Sequence, residues 1–328
     1  MILKNKMEDL KNCSLNKQRT LLFIMSSLPP PISTFDEIDI STATIIGKTN
    51  CKINIAELFT ILPTVDYQVV QKKRGRRPKD EKKVTPPSFD DGDIITLKLG
   101  DKMKGVDLKS KKKLKNNNYF RNSITIVMSC QNKFINFKIS KNGKFQFTGC
   151  KSDKQAHICL SFIVKLMLNH RKILVLPPSS NFEVIYLTVM SNINFSLGFC
   201  INKENLDDYI NKHTNYYSLL ETTFGYTGVN IKIPLPSLNS IPIKKMILDR
   251  TTNEWLQTNI TYENYITTLD EKEKTKEKGK THYNTFLVFQ SGNVILSSPH
   301  KECMRETYHE FLSIIKTCRS TIEEKIST

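Results

Sequence analysis

The stretch NGKFQFTGCKSDKQAHICLSFIVKLM, residues 142–167, recurs as SGNVILSSPHKECMRETYHEFLSIIK, residues 291–316. Laid over each other, both give a turn with glycine (Gly143, Gly292), a short alternating strand, Thr148 or Ser297 near its end, and a helix. The overlay sets Phe162 on Phe311 and Leu166 on Ile315, a spacing of 149. Upstream, TATIIGKTNCKINIAELFTIL from Thr42 matches MSNINFSLGFCINKENLDDYI from Met190, with Ile53-Asn54 on Ile201-Asn202 at a spacing of 148. Two blocks repeating at nearly one spacing imply that a whole structural unit was duplicated.

Each unit reads as strand, helix, several strands, helix. In the first, Thr42–Lys48 alternates as a strand and Ile55–Leu62 forms a helix that stops before Pro63. Strands follow at Asn122–Cys130, Lys133–Ile139 and Lys144–Thr148. Ser152 and Gln155 have capping-box spacing ahead of a helix on which Cys159, Phe162, Ile163 and Leu166 are expected to share a face. Met304, Tyr308, Phe311 and Ile315 give the closing helix of the second unit, which runs to about Lys325. The fold class is therefore α+β: two tandem repeats forming one curved antiparallel sheet with helices on its convex face. The expected organisation is a tail at 1–40, repeat one at 41–176 with a basic insertion at 71–118, a Pro-Pro-Ser-Ser linker at 177–182, and repeat two at 183–325 with an insertion at 234–283.

Such a sheet leaves one face uncovered, and alternation says which side chains share it. Phe145 and Phe147 point to the helices, so Lys144, Gln146 and Thr148 point away. Thr42, Thr44 and Ile46 form a row, matched by Met190, Asn192 and Asn194. Small hydroxyl, amide and aliphatic groups with little charge suit a minor groove, where A·T pairs offer only acceptors. Charge points to the same partner class. The 328 residues carry 49 Lys and Arg against 32 Asp and Glu, a net +17 that favours a polyanion, nucleic acid before anionic membrane. No run of ~18 apolar residues is present, so no spanning helix is expected. The eight cysteines include no C-x-x-C pair and read as reduced thiols of an intracellular protein.

At this point the sequence resembles the TATA-box-binding protein family, in particular the divergent versions carried by giant double-stranded DNA viruses. The matching stretches are NGKFQFTGCK from Asn142, FLVFQSG from Phe286 and YTGVNIK from Tyr226. The resemblance implies a saddle that binds the minor groove of an A·T-rich promoter and bends it, using aromatic wedges at Phe120, Tyr226 and Phe289. The fourth wedge position falls on Ser140, and Phe224 replaces Tyr226 if that strand is slipped by two. The family's central amides fall on Thr42 and Met190, so Asn192 takes that polar role one strand step away. With Thr44, Asn122, Gln146, Thr148, Ile295 and Ser297 these make up the implied minor-groove face. Lys144, Lys151 and Lys232 match backbone-contacting positions, while Asn293 and His300 have lost the positive charge at two others. The resemblance also implies a transcription-factor-B-type partner and RNA polymerase, a monomer on DNA, and no cofactor. It implies location in a nucleus or a cytoplasmic viral factory, or packaging in the virion.

The 71–118 segment holds 16 Lys and Arg against 7 Asp and Glu. Its Arg74-Gly75-Arg76-Arg77-Pro78 is similar to an AT-hook interrupted by one extra arginine, and reads equally as a solvated basic loop or a nuclear-localisation signal. Arg74, Arg76 and Arg77 would contact phosphate in any case. The 234–283 segment contains the single tryptophan, Trp255, either an exposed partner anchor in the loop the family calls a stirrup or a locally packed residue. Enzymatic chemistry finds no support. Gly47-Lys48-Thr49 lacks the earlier glycine of a phosphate loop, and His300 with Cys303 has no second pair to complete a zinc site. Two rival readings stay open: an architectural DNA-binding protein without site choice, and a saddle module gripping protein or an RNA–DNA hybrid.

Overall fold

The structure is a computed structural model that describes residues 33–66, 88–108, 120–170, 172–178, 180–221, 228–235, 237–249 and 251–324. The chain runs through β1 (Ile40–Thr49), β2 (Lys52–Ile53), α1 (Ile55–Ile61), β3 (Ile94–Leu99), β4 (Lys102–Gly105), β5 (Ser123–Cys130), β6 (Lys133–Ser140), β7 (Lys144–Cys150) and α2 (Asp153–Leu168). After β8 (Leu174–Val175) come β9 (Phe182–Ser196), α3 (Lys203–His213), β10 (Tyr217–Glu221) and β11 (Gly228–Pro234). The chain ends with β12 (Pro242–Leu248), β13 (Trp255–Thr261), α4 (Tyr262–Thr267), α5 (Glu271–Lys278), β14 (Tyr283–Phe289), β15 (Asn293–Ser298) and α6 (Arg305–Ile322).

One antiparallel sheet runs β10-β11-β14-β15-β9-β1-β7-β6-β5-β3-β4. The order reads alike in both directions from the central β9–β1 pair, and the register shows why. Ala43 faces Ser191, flanked by Thr42 opposite Asn192 and Thr44 opposite Met190. Residues 148 apart thus exchange places about the Ala43–Ser191 pair, which marks a pseudo-twofold axis. Outward, Thr44–Thr148 and Thr148–Asn136 in the first unit correspond to Asn192–Ser297 and Ser297–Thr285 in the second.

Two details repeat because the backbone requires them. Gly143 and Gly292 both have positive φ, and a Cβ on either would lie 2.2 or 2.1 Å from a carbonyl oxygen, that of Cys51 or of Phe199. Asn54 and Asn202 both cap the helices that follow, accepting from the amides of Glu57 and Asn205. Each unit buries its own core on the helix side. Phe145, Phe147 and Phe137 pack beneath α2 in one, and Phe286 stacks on Phe311 of α6 in the other.

Several boundaries differ from the sequence reading. Phe162 is exposed whereas Phe311 is fully buried, so Ile163 is the residue equivalent to Phe311, and the helix overlay is shifted by one. The buried stripe of α2 is Ala156, Cys159, Leu160, Ile163, Val164 and Met167. Ser152 makes no capping bond, while Gln155 Oε1 accepts from the amide of Lys151. The 71–118 segment is not wholly inserted: it contains β3, whose Ile94, Ile95 and Leu97 are buried, and which pairs with β5. The tail does not extend to residue 40, since Phe35 and Ile38 pack into the second core. Phe182 belongs to β9, not to a linker.

The 234–283 segment lies between paired ends. Pro234 faces Tyr283, at the place where the first unit closes Cys130 against Lys133 through the two positive-φ residues Gln131 and Asn132. Forty-eight residues, 235–282, therefore lie between the paired ends where the first unit has a short hairpin turn, at the end of the strands away from Phe289. Within them the β12–β13 hairpin joins the sheet along the first half of β9. Trp255 packs edge-on against His157 and Phe182, with Met246 and Leu248 in the first core.

Candidate nucleic-acid interface

The face opposite α2 and α6 is built from alternate residues of ten strands. Next to the axis stand Thr42, Thr44, Met190 and Asn192, with Thr148 and Ser297 one strand further out. All are half-buried or exposed, and none is charged. Thr148 Oγ1 donates to Asn136 O at 2.9 Å. The amide oxygens of Asn192 and Asn230 are buried without hydrogen-bond partners.

Further out the two halves diverge. Register equivalence sets Lys48, Lys98, Lys138 and Lys144 of the first unit against Ser196, Leu219, Leu287 and Asn293 of the second, and Val127 against Lys232. Lys48 and Lys98 are answered by carboxylates, Glu273 and Asp107, each at 2.6 Å. Lys138 Nζ stands 3.8 Å from the centre of the Phe120 ring. The first half of the face is cationic and the second apolar, with Leu219 46% exposed.

Of the implied wedges, Phe120 is 62% exposed and precedes β5. Phe289 ends β14, half-buried beside Asn194, Asn293 and Ile295 in a shallow hollow. Gly228 faces it across the ladder, and a Cβ there would meet Leu287 at 2.7 Å. Ser140 occupies the equivalent position in the first unit and donates to Lys144 O. Tyr226, the alternative Phe224, and Arg74, Arg76 and Arg77 lie outside the described residues. Gln146 and Ile295 are on the open face as expected. Asn122 is in the turn before β5 and not on the strand face. Lys151 stands past β7, where it lines a cavity beside the start of α2, so it is not part of the central open face.

Two features escaped the sequence reading. Phe134 and Tyr283, 149 apart, are exposed aromatics at equivalent positions on the open face, 40% and 41% accessible. The recurring aromatic at the repeat spacing was the available signal. The second feature is that α4 and α5 pack on the open side. Tyr265 and Leu269 cover Ile185 and Leu187 of β9, and Glu273 reaches Lys48. This closes the flank of the face beside the first half of β9. The interface is therefore bounded, not open throughout.

Among the described residues no cluster of three or more His, Cys, Asp or Glu could hold a metal, and no helix is long and apolar enough to cross a membrane. No family model matches the chain. It is 29% identical over 228 residues to Uncharacterized protein 335L of Invertebrate iridescent virus 6, a match covering 64% of this chain and 66%, just under two thirds, of that protein. Among solved structures it is similar to Methanococcus jannaschii TBP, at 14% identity and a TM-score of 0.41, over 86% of this chain and 99% of that one.

Proposed function

We propose that the open face binds A·T-rich duplex DNA through the minor groove and bends it, in the manner of a transcription-initiation factor that recruits a transcription-factor-B-type protein and RNA polymerase. The observation that carries this reading is the uncharged row about the pseudo-twofold axis. Duplex DNA has its own approximate dyad, and the twofold sets Thr44 against Asn192 and Thr148 against Ser297, a polar group for each strand, with Met190 in place of Thr42. The A·T minor groove offers acceptors at every base pair, and the hydroxyls of Thr42, Thr44 and Ser297 with the amide nitrogen of Asn192 are the donors this row carries. Flanking lysines Lys138, Lys144 and Lys232 reach toward phosphates on either side. Phe289 and Phe120 are the side chains able to enter base steps, at an unstacking cost of roughly a few kcal/mol per step offset by contacts to bent DNA. Neither the face nor the motifs supply an arrangement for catalysis, and the proposed role is binding.

The test is competition. A small ligand that occupies the A·T minor groove should displace the protein from duplex, whereas methylation of guanine N7 in the major groove should leave binding unchanged. Sensitivity in the opposite order would remove the minor-groove reading.

A further inference from the structure

A cavity of about 620 Å³ opens beside β9, where β12 leaves that strand at Tyr186 and β15 joins it at Ser191, and it reaches from Ala43, Ile45 and Ser191 on the helix side to Leu187, Tyr262 and Glu277 on the side of α4 and α5. It lies next to the pseudo-twofold axis and away from the central row of the open face. Both units and the 234–283 segment contribute walls. The apolar part comes from Ile40, Ala43 and Ile45 on one side and Leu238, Ile241 and Ile243 on the other. A volume in the range of roughly 300–1,000 Å³ with apolar walls and a few converging polar groups is the usual make-up of a small-molecule site.

The polar part is cationic. The approaches to α2 and to the α6 segment, related by the duplication, both end here: Lys151, Ser152 and Asp153 from one, His300 and Lys301 from the other. The two acids in the lining are already held, Asp153 by Lys244 at 2.7 Å and Glu277 by Lys280 at 2.6 Å. Lys151 and Lys301 have no carboxylate partner among the described residues; Lys301 donates to the carbonyl of Ile38. Ser152, at the N-cap of α2, makes no capping bond, so the positive end of a 16-residue helix faces the same space.

An independent observation concerns two serines. Ser191, in the cavity wall, is 2% exposed, and Ser298 directly opposite it on β15 is 3% exposed. The Ser298 hydroxyl is buried without a hydrogen-bond partner. The equivalent positions in the first unit are Ala43 and Gly149, which have no hydroxyl to satisfy. Ser298 lies outside the cavity lining, so of the two serines Ser191 is the one in a position to meet a bound molecule. We propose that this cavity binds a small amphipathic anion, a phosphate or carboxylate carried on an apolar body. The anionic group sits between Lys151, the α2 N-terminus and Ser191, and its tail lies against Ile45, Ile241 and Ile243. This site is independent of the reading given to the open face.

Calorimetric titration of the full chain with octyl phosphate, octanoate and the neutral octyl glucoside, each below its micellar concentration, tests it. Saturable one-to-one binding of at least one octyl anion is expected, with the glucoside about tenfold weaker or more. The tighter of the two anions identifies the headgroup. Ser191→Val and Lys151→Gln should each weaken binding about tenfold. If Ser191→Val fails to fold, Lys151→Gln at the cavity rim carries the test. Equal binding of the glucoside, absence of anion binding, or anion binding unchanged in Lys151→Gln would overturn the proposal.

Discussion

Gly143 and Gly292, like Gly105, set a tight constraint on single residues. Either substitution to alanine would combine a left-handed backbone with a Cβ about 2 Å from a carbonyl oxygen. We predict that each destabilises the protein by at least ~2 kcal/mol in urea unfolding, with alanine costing less at Gly149, which also has positive φ but open space around a Cβ. The cysteines give a second prediction at this scale. Burial pushes the Cys51 thiol up to about 11 and that of Cys150 up to about 12, and Cys159 is shifted further in the same direction by its hydrogen bond with Cys130 and by burial. A raised thiol stays protonated, and it is the thiolate that reacts. Alkylation of the native protein near pH 8 should therefore spare Cys51, Cys150 and Cys159 while modifying the half-exposed Cys200, read by peptide mass mapping, with Cys303 slower because burial raises its thiol too. Modification of Cys150 at the rate of Cys200 would contradict the packing of the first core.

Elements were legible in the sequence wherever both copies kept the same punctuation. The glycine turn, the recurring Ile-Asn pair ahead of the first helix and the Phe145–Phe147 alternation carry their own physical causes, so β1, β7, α1 and α2 were placed within a few residues. The outer strand β3 was missed because its Ile94–Leu99 run sits between highly charged flanks that dominated the reading of 71–118. The overlay of α2 on the last helix slipped by one because two phenylalanines attracted each other, whereas burial follows Ile163. The 234–283 segment could not be read because a two-residue turn in one unit gives no hint of what replaces it in the other. Its structural role leads to a prediction. Joining Pro234 to Tyr283 through an Asn-Gly turn should yield a markedly less stable protein by thermal unfolding. The join removes Met246 and Leu248 from the first core and bares the β9 edge, and losing buried side chains of this size costs about 2–5 kcal/mol each. An unchanged melting temperature would mean that the segment is only appended.

At the scale of the molecule, a symmetric frame carries an asymmetric face. The amide and hydroxyl rows were legible from alternation and the exchange of Lys144 for Asn293 from the repeat overlay, whereas the exchange of Lys138 for Leu287 emerges only once the register is known. Lysines that meet phosphate release counterions, so giving the first unit the residues of the second, Lys138→Leu with Lys144→Asn, should lower the logarithmic salt slope of duplex binding by roughly 1.8. Phe289→Ala should weaken binding to A·T-rich duplex about tenfold and reduce bending seen by energy transfer between labelled ends. Ser140→Ala should alter neither beyond twofold.

The claim that the open face lies in the minor groove is tested most directly by photo-crosslinking from the DNA. A diazirine on the guanine 2-amino group projects into the minor groove, and one on the thymine 5-position projects into the major groove. With the minor-groove probe, crosslinked peptides should contain Gln146 and Thr148, Met190 to Asn194, or Ile295 and Ser297, and the major-groove probe should give few. Crosslinks from the major-groove probe, or minor-groove crosslinks confined to α2 and α6, would contradict the assignment of the open face as the DNA-binding surface.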